Sequence, residues 1–250
     1  MRIPKQSVVL AVAVCLALPL IVTAADEPNL NKEQIKQFLL TTKVVSSKQL
    51  NEDLWRLTLS DGKLTHDAAF QKNILSYRHK IGAYILAEMI GFDDMMPVAV
   101  ERKWQGNSGS FSWWLPLKMD EAERLKRRLA PPDLDGWNRQ MYKVQVFDQL
   151  VDDQDPMDSR VYIGEDWKIW RLDFTNAFRL RRNLEDPKKL VRCDRRLFEN
   201  LKKLDGAELE QKTKQYLTEP EALAVMARRG KIVNTFRRLI AQKGEGKVLY

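Results

Sequence analysis

The sequence predicts an α+β chain built in two lobes, a small mixed N-terminal one and a mainly helical C-terminal one. Three observations carry this. Before Pro116, extended stretches fold back at turn signals and interleave with segments of helical period. After residue 194, apolar residues recur at helical spacing as far as residue 243. Between them the character of the chain changes near residues 115–119, where a charged segment begins. The expected lobes are therefore residues 26–117 and 118–250.

Taken in order, residues 30–42 (LNKEQIKQFLLTT) place Ile35, Phe38 and Leu39 at helical spacing and predict a short helix. Residues 54–70 (LWRLTLSDGKLTHDAAF) alternate at Leu57 and Leu59, meet the turn signal Asp61-Gly62 and continue extended, which predicts a β-hairpin. Residues 76–90 return to helical period, with Ile81, Tyr84, Ile85 and Met89 on one face and Gly91 at the expected stop. A second extended pair, PVAVERKW and GSFSWWL, flanks the turn-forming residues 105–109.

Residues 119–129 predict a charged helix that stops at Pro131-Pro132. Residues 136–152 predict an amphipathic helix carrying Met141, Val144, Phe147 and Val151. An acidic loop over residues 152–159 then leads into two short strands, RVYIG and KIWRLD, with Glu165-Asp166 in the turn. From residue 194 to 243 the whole chain reads as helix, and Thr218-Glu219-Pro220-Glu221 forms a capping box with proline in the first turn of the last helix. There is no internal repeat, Gly-rich phosphate loop or low-complexity stretch.

The first 25 residues have the parts of a secretory signal peptide: Arg2 and Lys5, an apolar or small run over residues 7–22, and Thr23-Ala24-Ala25 before the first acidic residues. A membrane span would want about 20 apolar residues, and this run is shorter. An uncleaved anchor is the alternative. Cys15 lies inside the apolar run and follows Val14, which argues against a lipoprotein site. The chain is thus expected to be exported, to the periplasm, the cell surface or beyond, with no transmembrane segment in the mature part. Losing Arg2 and Lys5 lowers the formal charge from +8 to +6. Those charges are scattered, so a solvated surface is expected rather than a nucleic-acid footprint. The mature chain keeps one cysteine, Cys193, which excludes an internal disulfide. With only His66 and His79 and no Cys/His cluster, zinc has no ligand set.

Chemistry is expected in residues 147–179, FDQLVDDQDPMDSRVYIGEDWKIWRLDFTNAFR. Asp155 in the acidic loop and Asp173 at a strand end would face each other across the hairpin, a placement that suits a divalent metal and a phosphate. Bare acidic pairs in loops are more often solvated, so the order of features matters more than the pair. That order resembles the catalytic region of atypical kinases of the HipA, phosphatidylinositol-kinase and secretory-pathway type. Their exported bacterial relatives run roughly F-D-x-L-I-x-N-x-D-R-x-x-G-N-x-L-I, then W-x-L-W-x-I-D-H-x-x-A-F. Phe147 to Val151 match the helix, Asp155 falls on the catalytic Asp, Trp167 to Asp173 match the strand with its metal-binding Asp, and Ala177-Phe178 close the motif. LTLSDGKLTHDAAF, YRHKIGAYILAEMIGFDDMMPVAVER, GSFSWW and ARRGKIVNTFRRLI resemble further parts of the same fold.

The resemblance implies a two-lobed, protein-kinase-like fold, and it implies what is missing. Phosphoryl transfer needs a lysine on the phosphates, a helix glutamate to orient it, a catalytic Asp, and an Asn plus an Asp on the metals. The lysine is expected after Phe70, where Gln71 stands, with Lys72 one step on and on the opposite strand face. The helix glutamate is replaced by Lys80, the Arg after the catalytic Asp by Pro156, and the metal-binding Asn by Arg160. Lys72 or Lys80 would have to reach in as the phosphate cation, while Arg160 would pair with Asp173 or Asp155.

Two functions follow. One is an exported, pseudokinase-like binding or regulatory module with no resident cofactor, whose partner is a protein or small ligand. The other is a divergent kinase using Mg-ATP, with Asp155 as base and Asp173 on the metal. Whether the chain is an enzyme is left open between them, and a purely structural envelope protein is a third possibility. Trp104, Trp113, Trp114 and Trp137 are expected in core and interface packing rather than as a ligand cage. Arg179, Arg181, Arg182, Arg192, Arg195 and Arg196 are expected on a partly salt-bridged face.

Overall fold

A computed structural model describes residues 30–250. The expected signal peptide lies outside these residues. No described helix is long and apolar enough to cross a membrane.

The architecture is α+β, beginning with a helix and a five-stranded antiparallel sheet. Helix α1 (Lys32–Thr41) opens at a capping box in which the Asn31 side chain accepts from the Gln34 N–H and the Gln34 side chain accepts in return. The sheet contains β1 (Lys43–Gln49), β2 (Leu54–Ser60), β3 (Thr65–Gln71), β4 (Ala99–Trp104) and β5 (Asn107–Trp113), in the order β1-β2-β3-β5-β4. The hairpin expected around Asp61-Gly62 is β2–β3, with Leu57 opposite Ala68. The second hairpin closes more tightly than residues 105–109 suggest. Gln105 and Gly106 alone turn the chain, at φ 49° and 79°, and Trp104 pairs directly with Asn107.

Strand parity divides the sheet's side chains between two faces. Leu57, Leu59, Ala68, Phe70 and Phe111 share one face and are buried there. Phe38 of α1 meets Trp113 edge-on at 5.8 Å, and Arg102 Nη1 donates to the Leu39 carbonyl, so α1 lies on the same side. Ala69, Gln71 and Ser112 project to the other face, toward α2 (Ile74–Ile90).

Helix α2 is buried on more than one stripe. Ile81 and Tyr84 are interior as expected, but so are Ala83, Leu86, Ala87 and Ile90, while Ile85 and Met89 are only half-buried. The reason is its position: it packs against the sheet and also against two later helices, α6 (Arg195–Lys203) and α7 (Gly206–Thr213). A Cβ at Gly82 would come within 2.8 Å of Leu217, which explains a glycine inside this helix. Gly91 ends α2 in the left-handed conformation, φ 75°.

The charged helix expected over residues 119–129 is shorter than its pattern. Its first residues belong to strand β6 (Leu117–Asp120), and α3 covers Glu121–Lys126. Helix α4 (Leu134–Val151) begins on an Asp133 cap and stops at Asp152 in the left-handed conformation. The acidic loop then ends in one helical turn, α5 (Met157–Arg160), before β7 (Val161–Gly164) and β8 (Ile169–Arg171). These strands make a second antiparallel sheet, β6-β7-β8. The long helical stretch expected after residue 194 is broken into α6, α7 and α8 (Glu219–Lys243), with a last turn, α9, at Glu245–Val248. The capping box of Thr218 and Glu221 is present, and α8 packs on α4.

Candidate functional site

A cavity of about 430 Å³ lies where the Ala69, Gln71 and Ser112 face of the first sheet meets the β6–β7 hairpin and the turn after β8. Ala69, Trp113, Trp114, Leu115 and Leu172 give it mostly apolar walls. The charged side chains on those walls are Lys80 from α2 and Asp173 from the turn after β8. Gln71 also lines it. Trp114 is on the wall, while Trp113 borders the cavity from β5 with its ring on the opposite sheet face, against Phe38 and stacked on His66 at 3.5 Å; Trp104 packs on Phe70 and Trp137 on Trp167.

Lys80 makes no hydrogen bond or ion pair with any described residue. Burial pushes its pKa down, and the nearby charge of Asp173 opposes that shift only in part. Asp173 is held by its own turn. Its Oδ1 accepts from the Thr175 N–H at 2.9 Å and the Thr175 hydroxyl at 2.7 Å. Thr175 Oγ1 lies 3.0 Å from Ser76 Oγ, which ties this turn to the start of α2.

The other two expected site residues stand elsewhere. Lys72 is absent from the cavity wall: its Nζ lies 4.9 Å above the Trp55 ring and 3.9 Å from Asp53. The one-residue step from Gln71 sends it to the opposite side. Asp155 is half-buried and away from the cavity, accepting from Asn176 Nδ2 at 2.8 Å. Among the described residues no group of three or more His, Cys, Asp or Glu is placed to hold a metal ion.

Arg160 pairs with neither Asp173 nor Asp155, which corrects the expectation from its position in the motif. It is buried between Asp148 and Asp153, with Nη1 donating to the Asp153 carbonyl at 2.7 Å and 3.3 Å from that residue's Oδ1, and Nε 3.4 Å from Asp148 Oδ2. A second guanidinium completes the cluster. Arg171, fully buried, donates from Nε and Nη2 to Asp148 Oδ1 at 3.1 and 3.0 Å, and from Nη2 to Asp153 Oδ2 at 2.6 Å. Its Nη1 donates to the Arg160 carbonyl at 2.5 Å. Burial pushes the Asp153 carboxyl up, and Arg171 and Arg160 pull it back. Two cations and two anions thus neutralise each other inside the protein.

Sequence reasoning missed this cluster, although one signal was present. Ile169 and Arg171 share a strand face at period two, so an arginine is aimed inward beside an isoleucine and requires buried acceptors. Arg181, in the basic run, is bound to Asp152 and lies 3.9 Å from Glu185, as expected of a salt-bridged face.

His79 is structural. Its Nε2 lies 3.0 Å from Glu221 Oε1 and its Nδ1 lies 3.3 Å from the Thr175 carbonyl, joining α2, α8 and the Asp173 turn. Burial opposes ionisation of Glu221, but the hydrogen bond with His79 and those from the Thr218 N–H and hydroxyl outweigh it and hold the carboxyl at about 2. This is below the ordinary value of 4.5, so the stabilisation is complete above about pH 4.5 and is lost as pH falls toward 2. Glu221→Gln is expected to cost on the order of 2 kcal/mol at pH 7 and to flatten the acid limb of the stability curve, checked by urea unfolding at stepped pH.

No protein-family model matches the chain, and no curated protein matches it. Among solved structures the chain is similar to the Helicobacter pylori proinflammatory kinase CtkA, with a TM-score of 0.48 and 8% sequence identity over 82% of this chain and 97% of that chain. Likeness at that level leaves the site to be read from this chain's own residues.

Proposed function

We propose that this chain is an exported, two-lobed, kinase-like protein with a degenerate nucleotide site, acting as a non-catalytic binding or regulatory module. The lobes would be residues 26–117 and 118–250, with the cavity between them. One observation carries this reading: Arg160, at the position where the resemblance expects a metal-binding asparagine, is locked into a buried cluster with Asp148 and Asp153. A guanidinium held there offers a divalent ion no oxygen ligand, and turning it outward would leave two buried carboxylates to one remaining guanidinium. Asp173 is then left as the carboxylate on the cavity wall, and Asp155 is bonded to Asn176. These residues do not fit Mg-ATP.

The divergent-kinase alternative draws on a different observation, the shared cavity of Lys80 and Asp173. Thermal unfolding with Mg-ATP separates the two. A site filled at roughly 100 times Kd would add about 2.7 kcal/mol. We expect no stabilisation that depends on magnesium. A magnesium-dependent rise that Asp173→Asn abolishes would establish the kinase reading instead.

A further inference from the structure

We infer that the cavity beside Lys80 takes a small monoanion with a flat apolar body, an aromatic carboxylate in chemical class, and binds it without a divalent metal. This rests on the reading of the cavity as a ligand site given above. The carboxylate would sit on Lys80 Nζ and the ring against Ala69, Trp114 and Leu115.

Charge sets the class of ligand. Lys80 is the cation on the cavity wall, and Asp173 stands beside it. One negative charge on the ligand satisfies Lys80, and each further one faces Asp173 without a counter-ion. Arg160 is unavailable, being held by Asp148 and Asp153. A triphosphate therefore meets more repulsion than attraction here, whereas a single carboxylate meets an ammonium that has no hydrogen bond or ion pair with any described residue. Burial makes that ammonium costly when alone, so pairing it relieves an existing penalty.

The walls point the same way. The Trp113 N–H already donates to the Val98 carbonyl at 2.9 Å, and the Trp114 N–H to the Asp67 carbonyl at 3.1 Å. The Trp114 carbonyl lies 3.1 Å from His66 Nε2. These three backbone groups are thus engaged by the sheet and its neighbours; the Ser112 hydroxyl on the wall has no hydrogen-bond partner among the described residues, and Ala69, Trp114, Leu115 and Leu172 supply the apolar part of the wall. Its volume of about 430 Å³ lies within the range of small-molecule sites.

Isothermal titration of the full chain with 2-naphthoate, its uncharged analogue 2-naphthamide, and ATP, each in EDTA and in magnesium, tests this. Naphthoate is expected to bind equally well in both buffers, and naphthamide at least tenfold more weakly. Lys80→Met should lose the same factor while retaining its fold by circular dichroism, and Lys80→Arg should restore most of it. Asp173→Asn should tighten naphthoate severalfold, because it removes a repelling charge. Equal affinity for the acid and the amide, or no effect of Lys80→Met, overturns the anion site while leaving the non-catalytic reading intact. Failure of both naphthyl probes to bind overturns the inference as well. ATP binding that requires magnesium and is lost in Asp173→Asn overturns the non-catalytic reading itself.

Discussion

Arg171→Met is expected to cost the fold about 3–5 kcal/mol, because it removes one partner of a buried ion cluster and leaves the rest in place. Arg171 has no solvent exposure and makes four hydrogen bonds, to Asp148, Asp153 and the Arg160 carbonyl. Without it, two buried carboxylates share one guanidinium. Asp153 already has its carboxyl pushed up by burial, and the loss of Arg171 pushes it further. A carboxyl whose folded-state pKa is raised stabilises the protein while protonated and loses that contribution as pH rises through the folded value. The variant should therefore be weaker at pH 7 than at mildly acid pH. Adding Asp153→Asn should recover part of the loss by removing the unpaired charge. Urea unfolding of the single and double variants at two pH values checks both statements; a single variant as stable as the parent at pH 7 would show that the cluster contributes nothing.

Phe147→Ala is expected to cost a similar amount, about 3–5 kcal/mol, through the cavity it leaves. The Phe147 ring is fully buried, stacks on Phe92 at 4.2 Å and meets Phe174 edge-on at 5.7 Å. It joins α4, the segment after α2, and the turn that carries Asp173. In a chain of this size each kcal/mol is worth roughly 2–4 °C, so melting should fall by about 6–20 °C. The damage should also reach the cavity: the Thr175 amide, which holds Asp173, should exchange faster in hydrogen-exchange measurements. Phe147→Leu, which fills most of the space, should restore much of both.

Both predictions concern residues in the 147–179 segment, yet only one of them was visible in the sequence. Phe147 falls on the apolar stripe of an amphipathic helix, and a period of 3.6 is a local property. The β2–β3 hairpin was equally visible, since the alternation and the Asp61-Gly62 turn lie within one short stretch. Strand β1 was not. It is an edge strand with nearly every residue exposed, so it shows no alternation and pairs only because β2 is beside it. Strand β6 is four residues long and looked like the start of the helix that follows.

The candidate site divides along the same line. Lys80 and Asp173 were singled out from motif positions, and they meet in one cavity. Lys72 and Asp155 were singled out in the same way and do not line it. For Lys72 the reason is strand parity, and for Asp155 it is the competing hydrogen bond from Asn176. The destination of Arg160 could not be read locally, because Asp148 also binds Arg171, 23 residues further on, and the cluster closes only where β8 docks on α4.

By itself, then, the sequence determined the α+β class, most of the helices and both hairpins of the first sheet, because period, turns and caps act within a few residues. It also singled out Gln71, Lys80 and Arg160 as departures from the motif that the sequence resembles. The tertiary structure alone decided which of those substitutions face the cavity. Arg160 went inward, since buried carboxylates from another element needed a cation, and Lys80 was left on the cavity wall near Asp173 without a hydrogen bond or ion pair to a described residue. A charge is placed by whatever opposite charge the fold brings to it, and that depends on elements far apart in the chain.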